Sequence, residues 1–207
     1  MVKKKEVYEK ILLLASNIVK QKKGALFIIA DKNKIRRHYD LLFPQLIQGH
    51  NISEDGVIKV LENLAVLDGA VIISPSGELI AYGARIKKSK TLRGFGTRHA
   101  TASGITSSVQ SSIAILVSEE SNLIRVFKNG NLILEMDGEI KSKSLNSKIV
   151  SFLSEGDNAL ITAAGASAAI LGPAALLSPI VAPVIIVGGS AYLAVKAATK
   201  LMKRRMQ

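Results

Sequence analysis

From Ala159 to Val195 the chain runs through 37 residues without one Asp, Glu, Lys or Arg, and then meets Lys196, Lys200, Lys203, Arg204 and Arg205. A stretch of that length and apolarity is a candidate membrane segment. As one straight helix it would reach ~55 Å, well beyond the ~30 Å hydrocarbon core, so the run is expected to break. Gly172-Pro173, Ser178-Pro179 and Pro183 stand near its middle. Proline there removes an amide donor and disfavours helix at the preceding residue. Two helical pieces are expected, over roughly 157–172 and 180–200. Lys141, Lys143 and Lys148 precede the run and the basic tail follows it, so a hairpin that spans or re-enters keeps both flanks on the cytoplasmic side. Two alternatives stay open. One is a single span over residues 176–195. The other is a pair of soluble helices buried in an oligomer, for which Gly165, Ala166 and Ser167 allow close contact.

Charge follows the same asymmetry. The whole chain carries 28 basic against 16 acidic residues, a net +12; without the five tail cations, 23 basic residues against 16 acidic leave +7. The excess therefore sits beside the apolar run, as an anionic cytoplasmic leaflet favours. Nucleic acid is not an expected partner. Aromatic residues are 4% of the chain, Trp is absent, and Arg36-Arg37-His38-Tyr39 belongs to no recognisable RNA or DNA module. Cysteine is absent, which removes disulfides, thiolate zinc sites and Cys nucleophiles. His38, His50 and His99 are too scattered for a His-based metal site, so a metal would be held by carboxylates and phosphates. The start of the chain shows no signal peptide.

Residues 1–157 read as an α/β unit. Val7, Ile11, Leu12, Ala15 and Val19 recur at helical spacing and predict an amphipathic first helix. Residues 25–30 are a continuous apolar run, as in a buried strand. Ser53-Glu54-Asp55 is expected to open a second helix through Val57, Val60, Leu61 and Leu64. Residues 71–74 and 79–83 predict paired strands around a Pro75–Gly77 turn, and further strands are expected over 113–117, 123–127 and 132–134, the last after Asn129-Gly130. Residues 34–39 read as a basic, solvated loop, residues 100–110 as a helix of small residues, and residues 137–157 as a polar linker helix or tether.

Three local patterns can carry chemistry. Asp68-Gly69-Ala70 stands between a helix and a buried strand; it is either a turn or a carboxylate aimed at a cleft, with Gly69 allowing close approach of backbone to ligand. The loop from Arg93 to Ala100 is punctuated by glycine and runs into a helix, so its free amides with Thr97 and Arg98 offer a seat for phosphate oxygens. It matches neither the P-loop nor the Rossmann fingerprint. Ser118-Glu119-Glu120 follows a strand directly, where adjacent acids are ordinarily solvated.

In this order and spacing, from about residue 5 to residue 140, the patterns resemble the diadenylate cyclase (DAC domain) family. The resemblance implies a DAC-type twisted mixed β-sheet wrapped by helices. It also implies condensation of two ATP into cyclic di-AMP with release of two pyrophosphates, where two domains meet face to face in a homodimer or higher homo-oligomer. By the same resemblance Asp68 is the catalytic residue and ligand of Mn²⁺ or Mg²⁺, and Gly69 and Ala70 present backbone near ribose and base. Thr97, Arg98 and His99 hold the triphosphate, Ser118 with Glu119 or Glu120 sits near phosphates or metal, and Ile86 packs on adenine. The expected organisation is then a DAC domain over 1–140, a linker over 141–157 and an apolar helical hairpin with basic tail over 158–207, anchored in the cell membrane with the catalytic domain facing the cytoplasm. One position departs from the family pattern. The usual Arg-His-Arg reads Arg98-His99-Ala100, which removes a bidentate phosphate contact that Arg93 or Lys87–Lys90 would have to replace. A membrane-anchored sensor that binds ATP or cyclic di-AMP without making it is the competing reading.

Overall fold

A computed structural model describes residues 3–87, 96–138, 149–151, 153–154 and 185–187. Its centre is a mixed sheet of eight strands in the order 39–41, 79–86, 70–73, 25–29, 113–117, 123–128, 131–137 and 185–187. β1 (Ala25–Ile29) runs parallel to β3 (Ala70–Ile73) and antiparallel to β5 (Ile113–Val117). β4 (Leu79–Ile86), β6 (Leu123–Lys128) and β7 (Asn131–Asp137) extend the sheet by antiparallel pairing.

The central strands are buried on both faces, which is why they read as unbroken apolar runs rather than as alternations. Phe27, Val71, Ile73, Ile115 and Val126 face one core, where α1 (Lys4–Lys20) lays down Val7, Ile11, Leu14 and Ile18 and α3 (Val57–Leu64) adds Leu61. Ile149, Val150 and Leu153 join that same core. Leu26, Ile28, Ile72, Leu116 and Phe127 face the other, covered by Ala102 and Ile105 of α4 (Thr97–Ser108) and by Ile35 of the short α2 (Lys32–Ile35). Asp31 caps α2, accepting from Asn33 N at 2.9 Å and Lys34 N at 3.2 Å.

Several local expectations are corrected. The supposed loop over 34–39 starts inside α2 and leads into an edge strand, β2 (Tyr39–Leu41), paired to the end of β4. Charged neighbours hide its strand character, yet they stabilise it: Asp40 pairs with Lys87 at 2.9 Å and Arg85 at 3.8 Å. Ser53-Glu54-Asp55 does not start α3, whose N-cap is Gly56. Glu54 instead accepts from Asn51 N at 2.7 Å and pairs with His50 at 2.7 Å, closing a turn of its own. α4 begins at Thr97, three residues earlier than expected, with Gly96 in extended conformation as its N-cap. β8 (Ile185–Val187) lies parallel to β7 where a helix over 180–200 was expected; its three residues are all β-branched.

The remaining readings of residues 158–207 lie outside the described residues. Among the described residues no helix is long and apolar enough to cross a membrane.

Candidate functional site

Strand direction alone gathers the three sequence patterns at one end of the sheet. β1 and β3 are parallel, so Gly24 and Gly69, which precede them, lie at the same end. Ala25 pairs with Val117, bringing Ser118 there from β5. Ala70 pairs with Ala84, and Ile86 is two residues further along β4, so it too stands at the Asp68 end. With adjacent strands ~4.8 Å apart, β3 and β5 lie roughly 10 Å from one another, a span that a nucleotide can bridge.

Asp68 is exposed, and its Oδ1 accepts the Gly69 amide at 2.9 Å. The next residue has to be glycine. Gly69 has φ +94°, and a Cβ there would stand 2.6 Å from the Gly83 carbonyl carbon and 2.8 Å from Ala84 N. The Asp68-Gly69 backbone is thus pressed against β4, which holds the carboxylate at the sheet edge. Among the described residues Oδ2 has no hydrogen-bond donor, and no three His, Cys, Asp or Glu converge. A lone carboxylate with one oxygen unengaged fits a hard divalent cation shared with substrate phosphates, not an all-protein cage.

The second group is set by α4. Gly96 supplies no side-chain cap, and the first amides bonded back to its carbonyl are His99 N at 3.1 Å and Ala100 N at 3.3 Å. Among the described residues the Thr97 and Arg98 amides have no backbone acceptor, and they point to the positive end of the helix, where an anion is favoured. Arg98 lies directly over Gly24, where any Cβ would overlap its guanidinium, and the Val117 carbonyl is close by. Arg98 is in this way carried from α4 to the start of β1 and the end of β5, beside Ser118.

His99 is half-buried. Arg125 Nη1 meets its Nε2 at 2.9 Å, and the Phe127 ring stands edge-on to it, 6.2 Å between centroids. Burial, with the Arg125 charge, lowers its pKa to about 4, against a smaller raising effect of Glu135. The folded value lies below the unfolded one near 6.5, so the neutral form is favoured by folding. Stability from this group is complete above pH ~6.5 and is lost as pH falls toward 4. Wild-type protein is expected to lose urea resistance between pH 7 and pH 5 more steeply than His99→Gln; equal slopes in the two proteins would contradict this.

The other expected residues divide. Ser118 is half-buried, its amide bonded to Leu123 O at 2.9 Å. Glu119 and Glu120 are exposed in the same turn, at the right end of the sheet, and their carboxylates make no ion pair among the described residues. Ala70 is buried, and Ile86 packs partly against the α4-side core, so its contribution to a base site is limited to its remaining exposed face. Lys87 is engaged by Asp40, and Arg93 lies outside the described residues. The sequence reading missed Arg125 and Glu135. The signal was present: Arg between Ile124 and Val126, and Glu between Leu134 and Met136, are opposite charges inside otherwise apolar strands.

Known proteins resemble this chain over much of its length. The chain is similar to a "Diadenylate cyclase" of Haloferax volcanii, 34% identical over 122 residues, covering 56% of this chain and 45% of the relative. A "Diadenylate cyclase" of Methanocaldococcus jannaschii is 29% identical over 145 residues, covering 65% of this chain and 47% of its own length. The chain thus spans about half the length of these curated relatives. Among solved structures, a double mutant of DacA from Staphylococcus aureus superposes with TM-score 0.52 at 20% identity, over 73% of this chain and 97% of that one, and shares the fold. A hypothetical membrane spanning protein from Bacillus cereus gives TM-score 0.50 at 20% identity over 59% of each chain. The family model described as DAC, DisA bacterial checkpoint controller nucleotide-binding, matches residues 14–132. That segment is more than half of the chain and contains Asp68, Thr97, Arg98, His99, Ser118 and Arg125, and the protein belongs to the DAC family.

Proposed function

We propose that this chain is a metal-dependent diadenylate cyclase that condenses two ATP into cyclic di-AMP and two pyrophosphates at a face-to-face homodimer interface. The observation that carries the reading is the convergence of Asp68-Gly69, Thr97-Arg98-His99 and Ser118 on one sheet end, in a chain of the DAC family. The names of its archaeal relatives support the same reaction.

The residues divide the work. The 3′-hydroxyl of each ATP attacks the α-phosphorus of the other, a P–O bond forms, and the bond to the pyrophosphate leaving group breaks. Asp68 would hold Mn²⁺ or Mg²⁺, which would supply neutralisation of phosphate charge, and it accepts the hydroxyl proton or passes it to solvent. The Thr97 and Arg98 amides and the Arg98 guanidinium hold the departing phosphates, and His99 adds a hydrogen bond without adding charge. Gly69 and Ala70 border the ribose and base, Ile86 flanks the adenine, and Glu119 or Glu120 supports the phosphates or metal.

One domain offers one such edge, so the second ATP must come from a partner copy. The rate per protomer is expected to fall in proportion to concentration once the dimer dissociates, with ATP binding retained. A rate per protomer unchanged over a hundredfold dilution, with the chain monomeric throughout, would contradict the interface.

Residues 1–140 form the catalytic domain in this reading. Residues 141–157 link it to the apolar tail of 158–207, whose part outside β8 is read as a hairpin that anchors the protein in the cell membrane with the domain facing cytosolic ATP. Supporting this is the 37-residue uncharged run with basic flanks. A tag after Gln207 accessible only from outside would contradict the hairpin. Ala100 favours a second reading, a nucleotide sensor without turnover, since one phosphate-binding Arg is absent there. Product analysis by mass spectrometry after incubation with ATP and Mn²⁺ or Mg²⁺ separates the two: cyclic di-AMP supports the cyclase, and bound, unchanged ATP supports the sensor.

A further inference from the structure

Beneath His99 lies an ion pair that the reaction scheme does not use. Arg125 on β6 and Glu135 on β7 are paired in register, Nε to Oε2 at 2.5 Å, each side chain about 10% exposed. Burying two charges is unfavourable unless their remaining polar atoms are engaged. Arg125 Nη1 is engaged with His99 Nε2 at 2.9 Å and Ser121 Oγ at 3.3 Å. A guanidinium has donors only, so His99 Nε2 accepts and the ring proton belongs on Nδ1. The edge-on Phe127 ring limits rotation of the imidazole about this bond.

We propose that Arg125, held in place by Glu135, is a positioning residue that fixes His99 as the neutral Nδ1–H tautomer, so that the imidazole meets nucleotide phosphate as an oriented hydrogen-bond donor. The phosphate part rests on the nucleotide reading above; the tautomer rests on geometry alone. The pair also bears on the departure at position 100. With Ala100 on α4, the cation beside His99 comes from the sheet instead, one hydrogen bond behind the imidazole. Among the described residues the charged groups facing His99 are Arg125 from β6 and Glu135 from β7, while its helix neighbour Arg98 reaches over Gly24.

The test is long-range ¹H–¹⁵N correlation on the full-length protein labelled at histidine, with His99 assigned from the spectrum of His99→Gln. In the wild type, His99 is expected to carry its proton on Nδ1 and to stay neutral down to pH 5. Arg125→Gln is expected to raise the midpoint by at least about one pH unit and to mix the tautomers, because the repulsive cation and the fixed donor are both gone. The acid limb of ATP binding should rise by the same amount. Arg125→Lys retains a cationic donor and should keep the midpoint low. Glu135→Gln removes only the opposing charge, so His99 stays neutral over the whole range. Simple loosening of the core would raise the midpoint in both the Arg125→Gln and Glu135→Gln proteins. An Nε2–H tautomer or a midpoint near 6.5 in the wild type overturns the proposal, as does an Arg125→Gln protein with unchanged tautomer and midpoint. If the tautomer is as expected but ATP does not bind, the nucleotide reading fails, and with it the role of His99 toward phosphate, while the Arg125 clamp stands.

Discussion

Asp68→Asn is expected to leave the protein folded and to lower cyclic di-AMP formation at least about a thousandfold. The asymmetry follows from what Asp68 touches. It is exposed, and its one hydrogen bond among the described residues is accepted through Oδ1 from the Gly69 amide, a bond the Asn carbonyl reproduces. The substitution removes charge and nothing else from the fold, so stability should change by less than about 0.5 kcal/mol. On the proposed mechanism the reaction loses its cation ligand and its proton acceptor together. Product quantified by mass spectrometry, with thermal unfolding as the control, checks both halves. A folded Asp68→Asn protein with more than about a tenth of wild-type turnover would remove Asp68 from the mechanism.

Gly69→Ala should produce the opposite pattern, with the fold itself suffering. At φ +94° an L-residue is strained, and its Cβ would stand within 3 Å of three backbone atoms of Gly83 and Ala84, which cannot turn aside as a side-chain tip can. The expected cost is about 3 kcal/mol, read as a shift in the urea midpoint. Activity should fall more than stability accounts for, because relief of the overlap moves Asp68. Gly96→Ala is the internal comparison. Among the described residues no atom lies within 4 Å of a Cβ at Gly96 and its φ is ordinary, so its cost should stay below about 1 kcal/mol. Equal stability losses in the two variants would show that the approach of the Asp68-Gly69 backbone to β4 is not what sets this corner.

How much of this was legible depends on what kind of signal each element leaves. Doubly buried strands leave the plainest one: Ala25–Ile29 and Ile113–Val117 are apolar throughout because α1 covers one face and α4 the other. The site patterns were legible as local motifs, but not what joins them. That Gly24 gives room to Arg98, or that Asp68 leans on β4, follows from the sheet order and leaves no local trace. The edge strand Tyr39–Leu41 was missed because an edge strand with charged flanks carries no alternation. Glu54 was misread because its carboxylate satisfies a turn amide rather than a helix end. Arg125 and Glu135 were passed over because attention to exposed motifs neglects charges embedded in apolar strands, which here pair with one another and with His99.

The most direct measurement is the product balance of purified full-length protein with ATP and Mn²⁺, followed by ³¹P NMR. The account predicts that two ATP disappear for each cyclic di-AMP formed and that two pyrophosphates appear with it. ATP that binds yet yields neither pyrophosphate nor cyclic product would contradict the cyclase and make this DAC domain a nucleotide sensor.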